Sequence, residues 1–142
     1  MCELMKNKDL LRLLIKLAAG AALTAVLLLF AACVIPQHGN QMFPSVKDGD
    51  LVVTLRAGCT YKTGDLCGYR DPQGRLRLGR IAAVPGEKAE LPDGKGSRLI
   101  PPGSYYLLND NPEEHGDSRS FGPVKKKDMR GTAFWLFRRR GF

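Results

Sequence analysis

The sequence is poor in the residues from which metal sites and covalent frameworks are built. It holds two histidines, four cysteines and one tryptophan. His38 and His115 lie far apart and no close cysteine pair stands near either, so the ligand spacing of a metal site is missing and no cofactor is expected. Cys2 and Cys33 fall before or inside an apolar run, which leaves only Cys59 and Cys67 for the rest of the chain. Two cysteines do not make a disulfide framework. Their spacing permits one small bridged loop, and the alternative is a free, buried Cys67 in a strand. Acidic residues are also scarce, 14 against 22 Lys and Arg. That balance favours anionic partners such as lipid headgroups or acidic protein surfaces. The basic residues are scattered and lack the aromatic interleaving of a nucleic-acid domain, so nucleic acid is not an expected partner. Internal repeats and long linkers are absent, and 142 residues leave room for one domain plus an anchor.

Charge is missing altogether from Leu17 to Ile35, nineteen residues that approach the roughly 20 needed to cross a bilayer as a helix. Lys6, Lys8, Arg12 and Lys16 precede the run, and no charged residue follows it until Lys47. The positive-inside bias therefore predicts a cytoplasmic N-terminus over residues 1–16, a membrane helix over 17–36 and an extracytoplasmic domain over 37–142. A cleaved secretory signal is the rival, but its apolar stretch is typically about 7 to 15 residues. Phe30-Ala31-Ala32-Cys33 resembles a lipobox, with Phe30 where an aliphatic residue is usual. Lipidation at Cys33 and a simple apolar role for it both leave the domain tethered.

Beyond Pro36, short apolar runs are punctuated by Gly, Pro and Asp, the pattern of a small, mainly β domain. Strands are predicted over Asp50–Arg56, Asp65–Arg70, Arg75–Val84, Ser104–Leu108 and Gly131–Phe137. Ala57–Gly64 and Asp71–Gly74 turn between them, and Pro85-Gly86 stops the third. Leu91–Pro102, with Pro-Asp-Gly and Pro-Pro, reads as a tight connection. The basic and aromatic end, Phe134 to Arg140, is suited to lie against an anionic leaflet, or to be a terminal strand with solvated arginines.

Four segments occur in an order and spacing that resemble the conserved boxes of type I signal peptidases. Gly39-Asn40-Gln41-Met42-Phe43-Pro44-Ser45-Val46 resembles Ser-x-Ser-Met-x-Pro-Thr-Leu, and Asp48-Gly49-Asp50 follows as it does in that family. Gly79-Arg80-Ile81-Ala82-Ala83-Val84-Pro85-Gly86-Glu87 resembles Lys-Arg-Val-x-Gly-x-Pro-Gly-Asp. The stretch from Pro102 to Asn111, leading into Gly116-Asp117-Ser118-Arg119-Ser120-Phe121-Gly122, resembles the last box. The resemblance spans roughly Leu17 to Leu136 and implies a signal-peptidase-like β domain behind one membrane helix.

It also implies which residues should carry the chemistry. The family's nucleophilic serine stands immediately before the Met, and a lysine heads the Lys-Arg pair as its general base. Here those positions hold Gln41 and Gly79. An amide cannot attack a carbonyl, and a hydroxyl needs a base whose pKa is lowered toward neutrality. The supporting positions are changed as well. Gly39 stands where a serine assists the oxyanion hole, and His115 where a serine precedes Asp-Ser-Arg. A rebuilt site from Ser45 and His115 is disfavoured, because Ser45 occupies a turn-holding position and His115 a polar loop beside Glu113 and Glu114. The matching residues, among them Met42, Pro44, Asp50, Arg80, Asp110, Asp117, Ser118 and Arg119, are those of turns, ion pairs and packing. The expectation is an inactive relative. Its groove, formed by Gln41, Met42, Phe43, Pro44, Arg80, Ile81, Asp117 and Ser118, would hold a secreted or surface protein, with pilin assembly in Gram-positive bacteria as the setting the resemblance suggests. The alternative is an active or weakly active serine endopeptidase that cleaves signal peptides.

Overall fold

The computed structural model describes residues 2–91 and 94–139. The turn predicted at Pro92-Asp93 and the terminal Arg140 lie outside them. The chain divides into two units, Met1–Ala31 and Ala32–Phe142. The first is a single helix, α1 (Cys2–Ala31), and its stretch from Lys6 to Ala31 is long and apolar enough to cross a membrane. At 1.5 Å per residue that stretch is about 40 Å long. Its one hydroxyl is satisfied within the helix, where Thr24 Oγ1 donates to the Gly20 carbonyl at 2.9 Å, as a lipid-facing segment requires.

The apolar run does not stay helical to Pro36, which corrects the expected boundary. The helix ends at Ala31, and Ala32–Pro36 is a strand, β1. It pairs antiparallel with β2 (Leu51–Leu55), from Ala32 opposite Leu55 to Pro36 opposite Leu51. Val34 and Ile35 are β-branched, Ile35 is fully buried beneath the sheet, and Pro36 closes the strand where a helix could not continue. Cys33 lies in β1 and packs against the second of the three core clusters.

The second unit is mainly β, as its punctuation predicted. A curled sheet orders its seven strands β1-β2-β9-β3-β4-β7-β8, every neighbouring pair antiparallel, with β3 (Leu66–Arg70), β4 (Leu76–Ala83), β7 (Ser104–Leu108), β8 (Val124–Lys125) and β9 (Met129–Phe137). The predicted strands appear within a residue or two of their expected ends. The tight connection after Leu91 is in part a hairpin, because β5 (Lys88–Glu90) pairs with β6 (Ser97–Leu99), strands too short to carry a periodic signal. One helical turn, α2 (Ser118–Phe121), and the two-residue β8 were likewise illegible. Cys33, Cys59 and Cys67 are free thiols, so the possible bridge is not made. Burial pushes the Cys67 thiol up to about 12, which leaves it protonated and inert.

One face of the sheet packs the core, with Tyr69, Ile81, Leu107 and Met129 in one cluster and Ile35, Met42, Val46 and Val52 in another. The register is locked where β2, β3 and β9 meet. Thr54, fully buried, donates to the carbonyls of Cys33 and Arg130 at 3.3 and 2.9 Å. Gly131, at φ 106°, lets β9 approach so closely that a Cβ there would lie 2.5 Å from the Leu55 carbonyl. The other face is left apolar. Val34, Val53 and Trp135 form one cross-strand row, and Pro36, Leu51 and Phe137 the next. Val34, Leu51, Trp135 and Phe137 are all exposed.

Candidate functional site

The loop carrying Gln41 is tied at both ends. At its base the Gln37 N–H donates to the Asp50 carbonyl and the Gly49 N–H to the Gln37 carbonyl, at 2.8 and 2.9 Å. Asp50, buried, accepts from the N–H groups of Lys47 and Arg139, and Asp48 accepts from that of Gly39. Met42 and Val46 plunge into the second core cluster, joined by Val46 N–H to Met42 carbonyl at 2.9 Å. The far side is held by Asn111, whose backbone N–H donates to the Gln41 carbonyl at 2.9 Å and whose side chain donates to the Asn40 carbonyl at 3.0 Å.

Asn111 is itself positioned by an ion pair. Arg80 grips Asp110 through two hydrogen bonds of 2.7 Å, donates to the Gly64 carbonyl at 2.9 Å and reaches Ser45 Oγ at 3.4 Å. Burial alone would raise the Asp110 pKa, but the hydrogen bonds from Arg80 and Ser45 outweigh it and hold the carboxyl below the usual value. Asp117, also buried, caps α2 through the Arg119 N–H and accepts from the Asn109 N–H at 2.8 Å. Ser118 accepts from the Leu107 N–H at 3.0 Å. These residues set the backbone geometry around the loop.

The hollow beside Gln41 has a volume of about 250 Å³ and is lined by Ile35, Pro36, Gln37, His38, Gln41 and Arg75 to Leu78. A larger hollow of about 410 Å³ lies near Phe121 and Lys125, away from Gln41. The smaller one matters here because two unpaired strand edges border it. Ile81 exchanges backbone hydrogen bonds with Gly64 and Asp65, and the Arg75 carbonyl accepts from Asp71, so the odd-numbered residues of this stretch turn their polar groups toward β3. Leu76 and Leu78 turn theirs the other way. On that side β7 pairs only from Arg80 onward, so among the described residues the Leu76 and Leu78 groups lack a partner. On β1, Cys33 and Gln37 bond toward β2, and the Pro36 carbonyl faces outward.

Of the predicted groove residues, only Gln41 lines this hollow. Phe43 and Pro44 are exposed on the loop, whose Phe43–Pro44 peptide is cis, Arg80 is held by Asp110, and Met42, Ile81, Asp117 and Ser118 are buried in packing or capping roles. Sequence reasoning missed Ile35 to His38 and Arg75 to Leu78, although the alternation of Arg75-Leu76-Arg77-Leu78 marked a strand with one wet face. Gly39 is exposed, with nothing within 4 Å of a Cβ built on it. His115 is exposed, and its carbonyl accepts from the Ser120 hydroxyl.

A family model described as signal peptidase, peptidase S26, matches residues 87–138. Signal peptidase IB of Staphylococcus aureus strains Mu50, N315 and COL is 25% identical to the chain, over 92% of this chain and 92% of each relative. The chain thus resembles the type I signal peptidases. Its model match begins beyond both Gln41 and Gly79, so it bears on the family's framework and not on the catalytic pair. The position that heads the Lys-Arg pair in signal peptidases is occupied in an unexpected way. Gly79 is buried in β4, and a Cβ there would sit 2.9 Å from Tyr69 Cε1 and 3.3 Å from Leu107 Cβ. The Tyr69 ring fills the space into which a side chain would grow. Tyr69 is fully buried, its hydroxyl has no hydrogen-bond partner among the described residues, and burial pushes its pKa up to about 12. It is a neutral packing group and no proton acceptor.

Proposed function

We propose that this protein is a catalytically inactive signal-peptidase-like membrane protein that holds an extended segment of a secreted or surface protein at the outer face of the membrane. The observation that carries the reading is the Tyr69 ring packed over Gly79. Without a base at that position a nucleophile would stay protonated, and Gln41 supplies none. Ser45 stands beside the Arg80 guanidinium, a group that cannot take a proton, and His115 is an exposed loop residue. What survives is a hollow bordered by free backbone groups of Leu76, Leu78 and Pro36, which can add an extended peptide by main-chain pairing without any catalytic residue.

The apolar helix and the basic residues before it support a single-pass anchor with a cytoplasmic N-terminus. The resemblance to pilus-associated relatives in Gram-positive bacteria suggests pilin subunits as the held protein. The names of the relatives favour the second reading, an active signal peptidase. The test incubates the wild type and the double variant Gln41→Ser/Gly79→Lys, both in detergent, with a signal-peptide substrate and reads cut product by mass. Neither should cut, because the double variant still lacks a supporting donor at Gly39, and such donors are worth on the order of 100-fold or more. Robust cleavage by the wild type would end the inactive reading.

A further inference from the structure

We propose that the hollow beside Gln41 selects extended peptides carrying a carboxylate, read by Arg75 and Arg77. The inference rests on the peptide-holding function proposed above. The two guanidiniums share one carboxylate, Asp71, which accepts from Arg75 Nε at 3.0 Å, from the Arg75 backbone N–H at 2.8 Å and lies 3.2 Å from Arg77 Nε. Two positive charges against one negative leave one uncompensated charge. No carboxylate is among the residues that line the hollow. After Ala31 the sequence holds 18 basic and 12 acidic residues, so the surrounding field reinforces the local sign.

Arg77 is built in rather than draped over the surface. Its side chain is only 18% exposed, its Nη1 donates to the Gly116 carbonyl at 2.6 Å, and a Cβ at Gly116 would come within 2.5 Å of that nitrogen. Gly116 is thus the residue that lets the guanidinium sit there. A side chain held this way gives up little conformational freedom on binding. Arg75 reaches Asp71 through Nε and its backbone N–H, and among the described residues its two terminal nitrogens make no hydrogen bond, which leaves donors in the planar arrangement that suits a carboxylate.

Main-chain pairing along Leu76 and Leu78 brings a bound strand's side chains beside these groups. Residues opposite one another on adjacent strands have Cβ atoms about 4.5–5.5 Å apart, opposite charges there stabilise and like charges destabilise. A strand lying against this edge therefore presents one of its two faces to Arg75 and Arg77. An aspartate or glutamate on that face, or a free C-terminus reaching the same point, gains a charge-assisted hydrogen bond, and a lysine is disfavoured.

The experiment measures anisotropy of fluorescent hexapeptides of alternating valine and threonine, acetylated and amidated, binding the full-length protein in phosphatidylcholine nanodiscs at low salt. Glutamate, glutamine or lysine is walked through each position, and one glutamine peptide keeps a free C-terminal carboxylate. At one register the glutamate peptide should bind about tenfold more tightly than its glutamine counterpart, lysine should bind worst, and the advantage should shrink with added salt. Arg75→Gln should bring the glutamate-to-glutamine ratio close to one. A gain confined to the free C-terminus would assign the carboxylate to a chain end rather than a side chain. Binding of all peptides with equal affinity overturns the carboxylate inference and leaves the peptide groove standing, whereas no binding by any of them overturns both.

Discussion

Gly79→Ala is the substitution that isolates the exchange between Gly79 and Tyr69. A methyl placed on Gly79 would lie 2.9 and 3.4 Å from Tyr69 Cε1 and Cδ1 and 3.3 Å from Leu107 Cβ, where carbon atoms prefer roughly 3.5–4.0 Å. Neither neighbour can retreat, because Tyr69 and Leu107 are fully buried among core residues. Inserting a methyl into a well-packed core typically costs about 1–3 kcal/mol. Replacing a strand glycine ordinarily helps by about 0.5–1 kcal/mol through the unfolded chain. The clash therefore wins, with a net loss of roughly 1–2 kcal/mol and a fall in Tm on the order of 4–8 °C for a domain of this size. In the Tyr69→Leu background the same methyl meets no ring, so the double change should be less harmful than the two singles added together. Calorimetry of the four proteins in detergent reads the cycle. Tyr69→Phe serves as a control, because removing a buried hydroxyl with no partner should leave Tm unchanged or raise it. If Gly79→Ala raises Tm and the cycle is additive, the space at Gly79 is open and the reasoning from the Tyr69 ring fails.

Asp110 predicts an acid limit on stability. Its carboxyl has a depressed pKa in the folded protein, so its contribution is complete above the unfolded value of about 3.9 and is lost as pH falls toward and through the folded value. Asp110→Asn should lower stability at neutral pH and flatten its decline below about pH 4, as read by urea melts across pH, and an unchanged decline would exclude this pair as its source. The apolar helix predicts that the protein resists extraction from membranes by high salt, since screening releases charge-held proteins and not apolar spans. The exposed rows ending in Trp135 and Phe137, with the arginines that follow, predict that the isolated unit from Ala32 onward binds anionic vesicles. Changing Arg138, Arg139 and Arg140 to Gln should weaken that binding, and unchanged binding would favour a terminal strand whose arginines are merely solvated.

Much of the architecture was decided locally and could be read in order along the chain. The strands around Val52, Cys67, Ile81, Leu107 and Leu136 alternate or carry β-branched residues, and Gly, Pro and Asp mark their ends, so each announces itself within a few residues. The segments that resemble the family boxes were equally legible, since a turn residue such as Gly49 or a part-buried ion-pair residue such as Arg80 is required by type at its position. The end of the helix was not. Ala32 to Pro36 is as apolar as the residues before it, and only pairing with Leu51–Leu55 and burial of Ile35 convert it into a strand. The hollow depended still more on tertiary structure. Its walls come from segments some forty residues apart, and the backbone groups of Leu76 and Leu78 beside it are free only because β7 stops pairing at Arg80. Nor could the sequence by itself determine what fills the space beside Gly79. Gly79 lies opposite Cys67 and Tyr69 opposite Arg77, so the two sit diagonally on neighbouring strands, two residues out of register, and only the folded sheet lays an aromatic ring over the glycine. Local residue types set which segments become strands and turns, whereas contact between distant segments sets which surfaces stay open and which spaces are closed.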